Sequence, residues 1–345
     1  MSKFKSQARI VPVEEAVGMV LSHDITEIRP GEFKGAAFKK GHVLCAQDIP
    51  RLRRAGKEHV YALDLDPDEV HEDEAASALG LALCGEGVRP AGPPAEGKVS
   101  LVAAVPGLLR VDREALLRFN LVPDVCCASR HDDSMVAAGE AVAATRAIPL
   151  LLSRARFEEA LSSAAGGVFS ILPIPSLEVG LVVTGTEVYR GLIEDRFAPV
   201  IREKLERFGC RLRPPVFAPD DREEIAAAIR THLEAGVGLV VVAGGMSVDP
   251  DDVSRQAILA VGARDVVYGT PVLPGAMFLW GRLGQVPVIG VPACTIFYRA
   301  TVLDLVLPRV LLGETISREY LAGLGHGGLC LNCPDCRYPV CPFGK

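Results

Sequence analysis

Three uninterrupted apolar runs, EVGLVVT at 178–184, GLVVVA at 238–243 and VPVIGVP at 286–292, constrain this chain more than any other feature. A strand that is apolar at every residue must be covered on both faces, as in a parallel sheet flanked by helices. The intervening segments have helical period. Phe197, Ile201, Leu205 and Phe208 follow a capping Asp195 and stop at Gly209. A weaker strand at Leu212–Phe217 leads to a helix at Arg222–Leu233, and VSRQAILAVG and DVVYG continue the alternation. A long helix at Thr295–Leu312, kinked at Pro308 and closed by Gly313, completes it. The expected fold class for residues 176–313 is therefore α/β, a doubly wound, mostly parallel sheet, preceded by smaller α+β regions.

The N-terminal half is less regular. Apolar runs at Ile10–Val13 and His59–Leu63 flank a short helix carrying Ile49, Leu52 and Arg53, capped by Asp48 and stopped by Gly56. The acid-rich stretch Asp64–Glu74, with Pro67, reads as a connector. Beyond it, strands are expected at Val99–Val105, Ile148–Leu152 and Val168–Ile174, helices at Asp112–Phe119 and Ala155–Ala164, and turns in AAGEAVAATRA. The domains read from this pattern are 1–66, 67–175, 176–313 and a cysteine-rich tail at 314–345.

At 345 residues and 49% hydrophobic content the chain exceeds one ordinary core. Lys and Arg total 37 against 43 Asp and Glu, a net charge of −6, so nucleic acid is not an expected partner. No apolar run reaches membrane-spanning length, and the start MSKFKSQARIVPVEEA lacks the apolar core of a signal peptide. A cytoplasmic protein that associates as a homo-oligomer, most simply a dimer, is expected.

Ligands of open parallel sheets bind outside the carboxyl ends of the strands, which singles out four loops. The first holds Thr184, Gly185, Thr186 and Glu187, two hydroxyls and a glycine that can donate to an oxyanion beside an acid that can cap a helix or bind a cation. The second is Pro219, Asp220, Asp221. The third runs Gly244, Gly245, Met246, Ser247 and on to Asp249, Asp251 and Asp252. Its glycines let backbone N–H groups approach a phosphate, and its acids suit Mg²⁺ or the donor edge of a heterocycle. The fourth, Pro292, Ala293, Cys294 and Thr295, opens the last helix. For any one acid, capping is the plainer role: Asp220 or Asp221 for the helix at Arg222, Asp252 for the helix at Val253. Convergence of all four loops at one sheet edge raises the functional reading.

These motifs, in this order, resemble the molybdopterin-binding domain shared by MoeA, MogA and gephyrin. TGTEV at 184–188 is similar to the family's TGxE loop, PDD at 219–221 to its PD loop, and GGMSVDPDDVS at 244–254 to its GG…D segment. PGAMFLWGRLGQVPVIGVP at 274–292 is similar to its PGKP…GxLP stretch, which adds Pro274, Gly275 and Pro292 to the candidate site. The resemblance implies a MogA-like fold, a molybdopterin ligand, free or adenylylated, and molybdate insertion or molybdopterin adenylylation with Mg²⁺. It makes Asp220 and Asp252 the functional carboxylates and places Thr184, Gly185, Gly244, Gly245 and Ser247 around phosphate and pterin. Two positions depart from the pattern: Ala276 stands where the family has a lysine after PG, and GVPACT at 290–295 replaces GLPGNP. A second reading is a non-catalytic carrier or sensor that delivers cofactor to a molybdoenzyme.

The tail reads Cys330-x2-Cys333-x2-Cys336-x4-Cys341-Pro342. Four thiolates so closely spaced suit an Fe–S cluster or Zn²⁺, the Cys-Pro ending leaning to a cluster. A third reading of the chain is accordingly a redox protein centred on the tail.

Overall fold

The computed structural model describes residues 9–29, 33–63, 66–247, 249 and 251–345. The chain divides into two compact units, Met1–Pro173 and Ile174–Lys345.

In the first unit, the strands Arg9–Pro12, His59–Leu63 and Val20–Leu21 form an antiparallel sheet, with Val11 opposite Val60. Together with the helix Ile49–Arg54 they enclose a small core that includes Leu21, Leu44 and Leu52. Asp48 precedes that helix but does not cap it; its carboxylate turns back to the Cys45 amide and to His42. A second core, from Val70 to Ile171, lies among antiparallel strands and the helices Glu72–Leu83, Arg113–Leu121 and Arg154–Ser163. The acid-rich stretch is more than a connector. Glu69–His71 is a strand paired with Leu151–Ser153, and Glu72, Asp73 and Glu74 form the first turn of a helix, where negative charge favours the N-terminal dipole. In AAGEAVAATRA, one turn precedes a seven-residue strand, Ala141–Ala147.

The second unit is built on a seven-stranded sheet. Its strands are β1 (Glu178–Thr184), β2 (Arg211–Leu212), β3 (Val216–Ala218), β4 (Leu239–Ala243), β5 (Arg264–Tyr268), β6 (Leu279–Leu283) and β7 (Val286–Val291). The order is β2-β1-β4-β7-β6-β5, with β3 also beside β1. The pairings from β2 through β7 are parallel, whereas β7–β6 and β6–β5 are antiparallel. The sheet is thus mixed: VPVIGVP is entered from a hairpin at Gly284, not from a helical crossover. The expected strand at 212–217 is split into β2 and β3, because Pro214 and Pro215 offer no amide to a ladder.

Alternation along the apolar strands explains their composition. Val179, Leu181 and Val183 of β1 pack with Phe197, Ile201 and Leu205 of α2 (Phe197–Glu206) and with Leu303, Val306 and Leu307 of α5 (Val302–Leu311). Val182, Val240 and Val242 point the other way, to Ile225 and Ile229 of α3 (Arg222–Glu234) and Ile258 of α4 (Ser254–Ala260). A one-turn helix, α1 (Thr186–Tyr189), follows β1, and α6 (Arg318–Gly323) follows α5. At Gly180 in β1 a Cβ would overlap the His232 ring, so the glycine lets α3 sit close to the sheet. The His232 ring Nε2–H donates to Leu181 O at 2.9 Å.

The predicted helix Thr295–Leu312 is two elements: a short 3-10 turn at Ala293–Ile296, then α5. Thr301 and Asp304 form a capping box that starts the helix at Val302. Asp304 also accepts from buried Lys204 at 2.6 Å, and Lys204 donates again to Arg299 O at 3.0 Å. Pro308 lies inside α5, and the carbonyl of Asp304, which an amide at 308 would have engaged, accepts from the Tyr338 hydroxyl at 3.1 Å.

Candidate functional site

The carboxyl ends of β1, β3, β4 and β7 open onto two cavities, of 710 and 690 Å³, which share Gly245, Asp252 and Ala293. Thr184, Gly185, Glu187, Asp220 and Gly244 line the first cavity. Ser247, Asp249, Pro274, Gly275 and Pro292 line the second. Thr186 lines neither, but it holds a member of the first: its amide donates to Asp220 Oδ2 at 2.8 Å, and its hydroxyl accepts from the Asp220 amide at 3.2 Å. Of the seventeen candidate residues that the sequence offers from β1 to the tail, those of the sheet edge are gathered here, whereas the tail cysteines Cys333, Cys336 and Cys341 are not.

The glycine turn after β4 is fixed by close approach. Gly244 has φ +96°, and a Cβ there would stand 2.8 Å from the carbonyl and hydroxyl oxygens of Thr184; Gly245 has φ +60° and faces Ser254 Oγ. Ser254 donates to Thr184 Oγ1 at 3.2 Å, and Thr184 donates to Ala243 O at 3.3 Å, so a buried hydroxyl chain ties β1 to the turn. The Tyr268 hydroxyl donates to Met246 O at 2.7 Å and anchors the far side. Any ligand on this loop therefore meets a pre-set backbone.

The three acids that could have been simple caps differ in role. Asp221 caps α3, accepting from the amides of Glu223 and Glu224 at 2.9 and 3.0 Å. Asp220 is committed through one oxygen to Thr186. Asp252 does not cap α4, whose N-cap is Val253, and among the described residues its carboxylate makes no hydrogen bond or ion pair. It is half-buried at the junction of the two cavities.

The first cavity is strongly acidic. Glu187, Glu194, Asp220, Asp251 and Asp252 face one base, Arg196, among its lining residues. A bare phosphate would be repelled by this set, whereas a cation or a ligand edge rich in N–H donors would be attracted. Burial raises the Cys294 thiol above its ordinary pKa, so this side chain is a protonated packing group rather than a nucleophile. Among the described residues no three His, Cys, Asp or Glu side chains are placed to enclose a metal ion.

Sequence reasoning missed several lining residues: Arg196, Phe297 and Tyr298, and above all Leu329 and Asn332 of the tail, which stand here beside Cys330, expected only as a thiolate ligand. The tail reaches the crevice by a parallel bridge between Leu329 and Leu273, next to Pro274 and Gly275. Neither segment is a regular strand, so no periodicity announced the pairing.

Residues 180–311 match the family described as "Probable molybdopterin binding domain". This segment is similar to that family. Residues 10–64 match "Domain of unknown function (DUF8806)". The chain is 32% identical over 142 residues to "Molybdopterin molybdenumtransferase" of Synechococcus elongatus, covering 38% of this chain and 35% of that protein. A "CinA-like protein" of Mycobacterium leprae is 33% identical over 94 residues, covering 27% of this chain and 22% of that protein. The chain thus spans about a third or less of these curated relatives. Among solved structures, the molybdopterin biosynthesis enzyme MoaB of Thermus thermophilus covers 41% of this chain and 98% of its own, at 20% identity and a TM-score of 0.34. The Mog protein of Mycobacterium ulcerans covers 39% and 96%, at 22% identity and a TM-score of 0.34.

Proposed function

We propose that the second unit binds molybdopterin across the two joined cavities and serves molybdenum cofactor assembly, holding or delivering the pterin for a molybdoenzyme. The observation that carries this reading is Asp252, an uncommitted carboxylate at the junction of the two cavities, beside the Gly244–Gly245 turn. A pterin presents adjacent ring N–H and amino donors, which one carboxylate accepts as a pair. Asp252 or the free oxygen of Asp220 supplies that acceptor, and the Gly245 amide with the Ser247 hydroxyl supplies donors to the phosphate, while the Gly244 amide is spent on Val291 O at 3.1 Å.

The surplus of carboxylates bears on Mg²⁺. Mg²⁺ is usually held by one or two carboxylates, with water and ligand phosphate completing its shell, so a three-residue cage is not needed. Asp251, Asp252 and Glu187 are hard oxygen donors of the right kind, and Mg²⁺ bound there would offset the repulsion between acidic wall and phosphate.

Two chemistries remain for such a complex. Molybdate insertion or adenylylation needs cationic help for the incoming anion, and Ala276 removes one cation from the wall where the resemblance would have placed it. This favours carriage over transfer. Incubation of the purified chain with molybdopterin, Mg²⁺ and either ATP or molybdate tests the choice: the carrier reading expects retained, unmodified pterin, and adenylylated or metallated product would replace it with the transferase reading. Asp252→Asn should weaken molybdopterin binding by about 10- to 100-fold, the worth of a charge-assisted hydrogen bond. No binding by the unaltered protein would defeat both readings.

A further inference from the structure

We propose that the C-terminal loop Gly327–Gly344 is a thiolate site for a thiophilic metal centre, and that this centre, once bound, stiffens one wall of the ligand crevice. After α6 the chain has no helix or strand up to its last residue. Such a stretch is long for a structureless segment of a compact domain, and it must be held by something other than a ladder. Its two ends are held. The Gly344 amide donates to Gly327 O at 3.0 Å, closing the neck. On one side Leu273 and the loop exchange backbone bonds, Leu273 N to Gly328 O and Cys330 N to Leu273 O, each 2.8 Å. On the other, Phe343 is buried against the unit's core and Tyr338 bonds to α5.

Between these anchors apolar burial fails. Leu331 and Val340 are 68% and 84% exposed, and Cys333 and Cys336 are exposed as well. This span, which has no apolar burial of its own, is where a metal staple would add most to the loop's order. All four thiols are free, and all four line one cavity of 510 Å³. As placed, no three of these thiols enclose an ion; Cys330 and Cys341 pack against the unit's core while Cys333 and Cys336 are exposed, so the loop must close further to bring four sulfurs together. Four thiolates are a complete ligand set for tetrahedral Zn²⁺ or for a cubane-type iron–sulfur cluster. Capture of Zn²⁺ or of a preassembled cluster forms metal–sulfur bonds and releases the thiol protons to solvent, with no electron transferred.

The coupling follows from Cys330, which lines both this cavity and the crevice, and from Leu273, which runs directly into Pro274 and Gly275. A metal that immobilises Cys330 immobilises its bonded partner Leu273 and the wall beyond. This second half rests on the crevice being the ligand site; the metal site itself does not.

The test uses the full chain, purified without oxygen from cells supplied with zinc and iron. Metal analysis and absorbance distinguish a colourless zinc protein from a brown protein with iron and sulfide, and either supports the site. Four freely alkylated thiols and no metal, even after reconstitution with Zn²⁺ or with iron and sulfide, would overturn it. Cys333→Ser/Cys336→Ser should lose the metal and Cys126→Ser, in the other unit, should keep it; equal metal in both would also overturn it. Hydrogen exchange at the Leu273 and Cys330 amides should slow about tenfold on metal binding, and unchanged exchange would sink the coupling. Asp252→Asn should keep its metal, so loss of pterin binding with metal retained marks a failure of the crevice reading alone.

Discussion

At the scale of single residues, the crevice depends on positions where a side chain has no room or no partner. Gly245 is both left-handed and pressed against Ser254 Oγ, so Gly245→Ala should cost about 2–3 kcal/mol of stability and disturb the loop, seen as a lower urea midpoint together with weakened pterin binding. Of the sheet-edge residues singled out in the sequence as site candidates, all but Thr186 line the two cavities, because TGTE, PDD and GG…DD each follow an apolar strand and strand ends converge. The sequence could not tell their roles apart. Asp220, Asp221 and Asp252 are equivalent as letters; only the hydrogen bonds show one pinned to Thr186, one spent on α3 and one uncommitted.

At the scale of elements, β1 was legible to the residue, since a run apolar on both faces allows one reading. The last helix was not. Its apolar period continues through Ile296 and Val302, and the break between them comes from the Thr301–Asp304 capping box, a local bond that outweighs periodicity. The contact between β1 and α3 has its own pH signature. Burial lowers the His232 pKa below its ordinary 6.5, so the folded state binds this proton less readily than the unfolded chain. The contribution is full above 6.5 and is lost as pH falls below it towards the folded value. Urea unfolding between about pH 5 and 7 should therefore show stability rising with pH, and His232→Gln should flatten that slope. Gly180→Ala should destabilise the same joint at every pH, because the added methyl meets the ring whatever its charge.

For the whole molecule, the second unit contains its own cores, the crevice and the tail, so residues 174–345 expressed alone should fold cooperatively and retain ligand binding, as thermal unfolding and equilibrium binding would show. Apolar runs and loop motifs disclosed the sheet; the pairing of the tail with Leu273 was hidden, because two irregular segments far apart in the chain leave no pattern to read. No helix among the described residues is long and apolar enough to cross a membrane. The proline in α5 gives the molecule a last property. By withholding an amide at 308, it leaves the Asp304 carbonyl as a vacant acceptor on an otherwise closed helix, and the Tyr338 hydroxyl takes it. What would be a defect in an isolated helix is here an address label: it tells the C-terminus where on its own protein to dock.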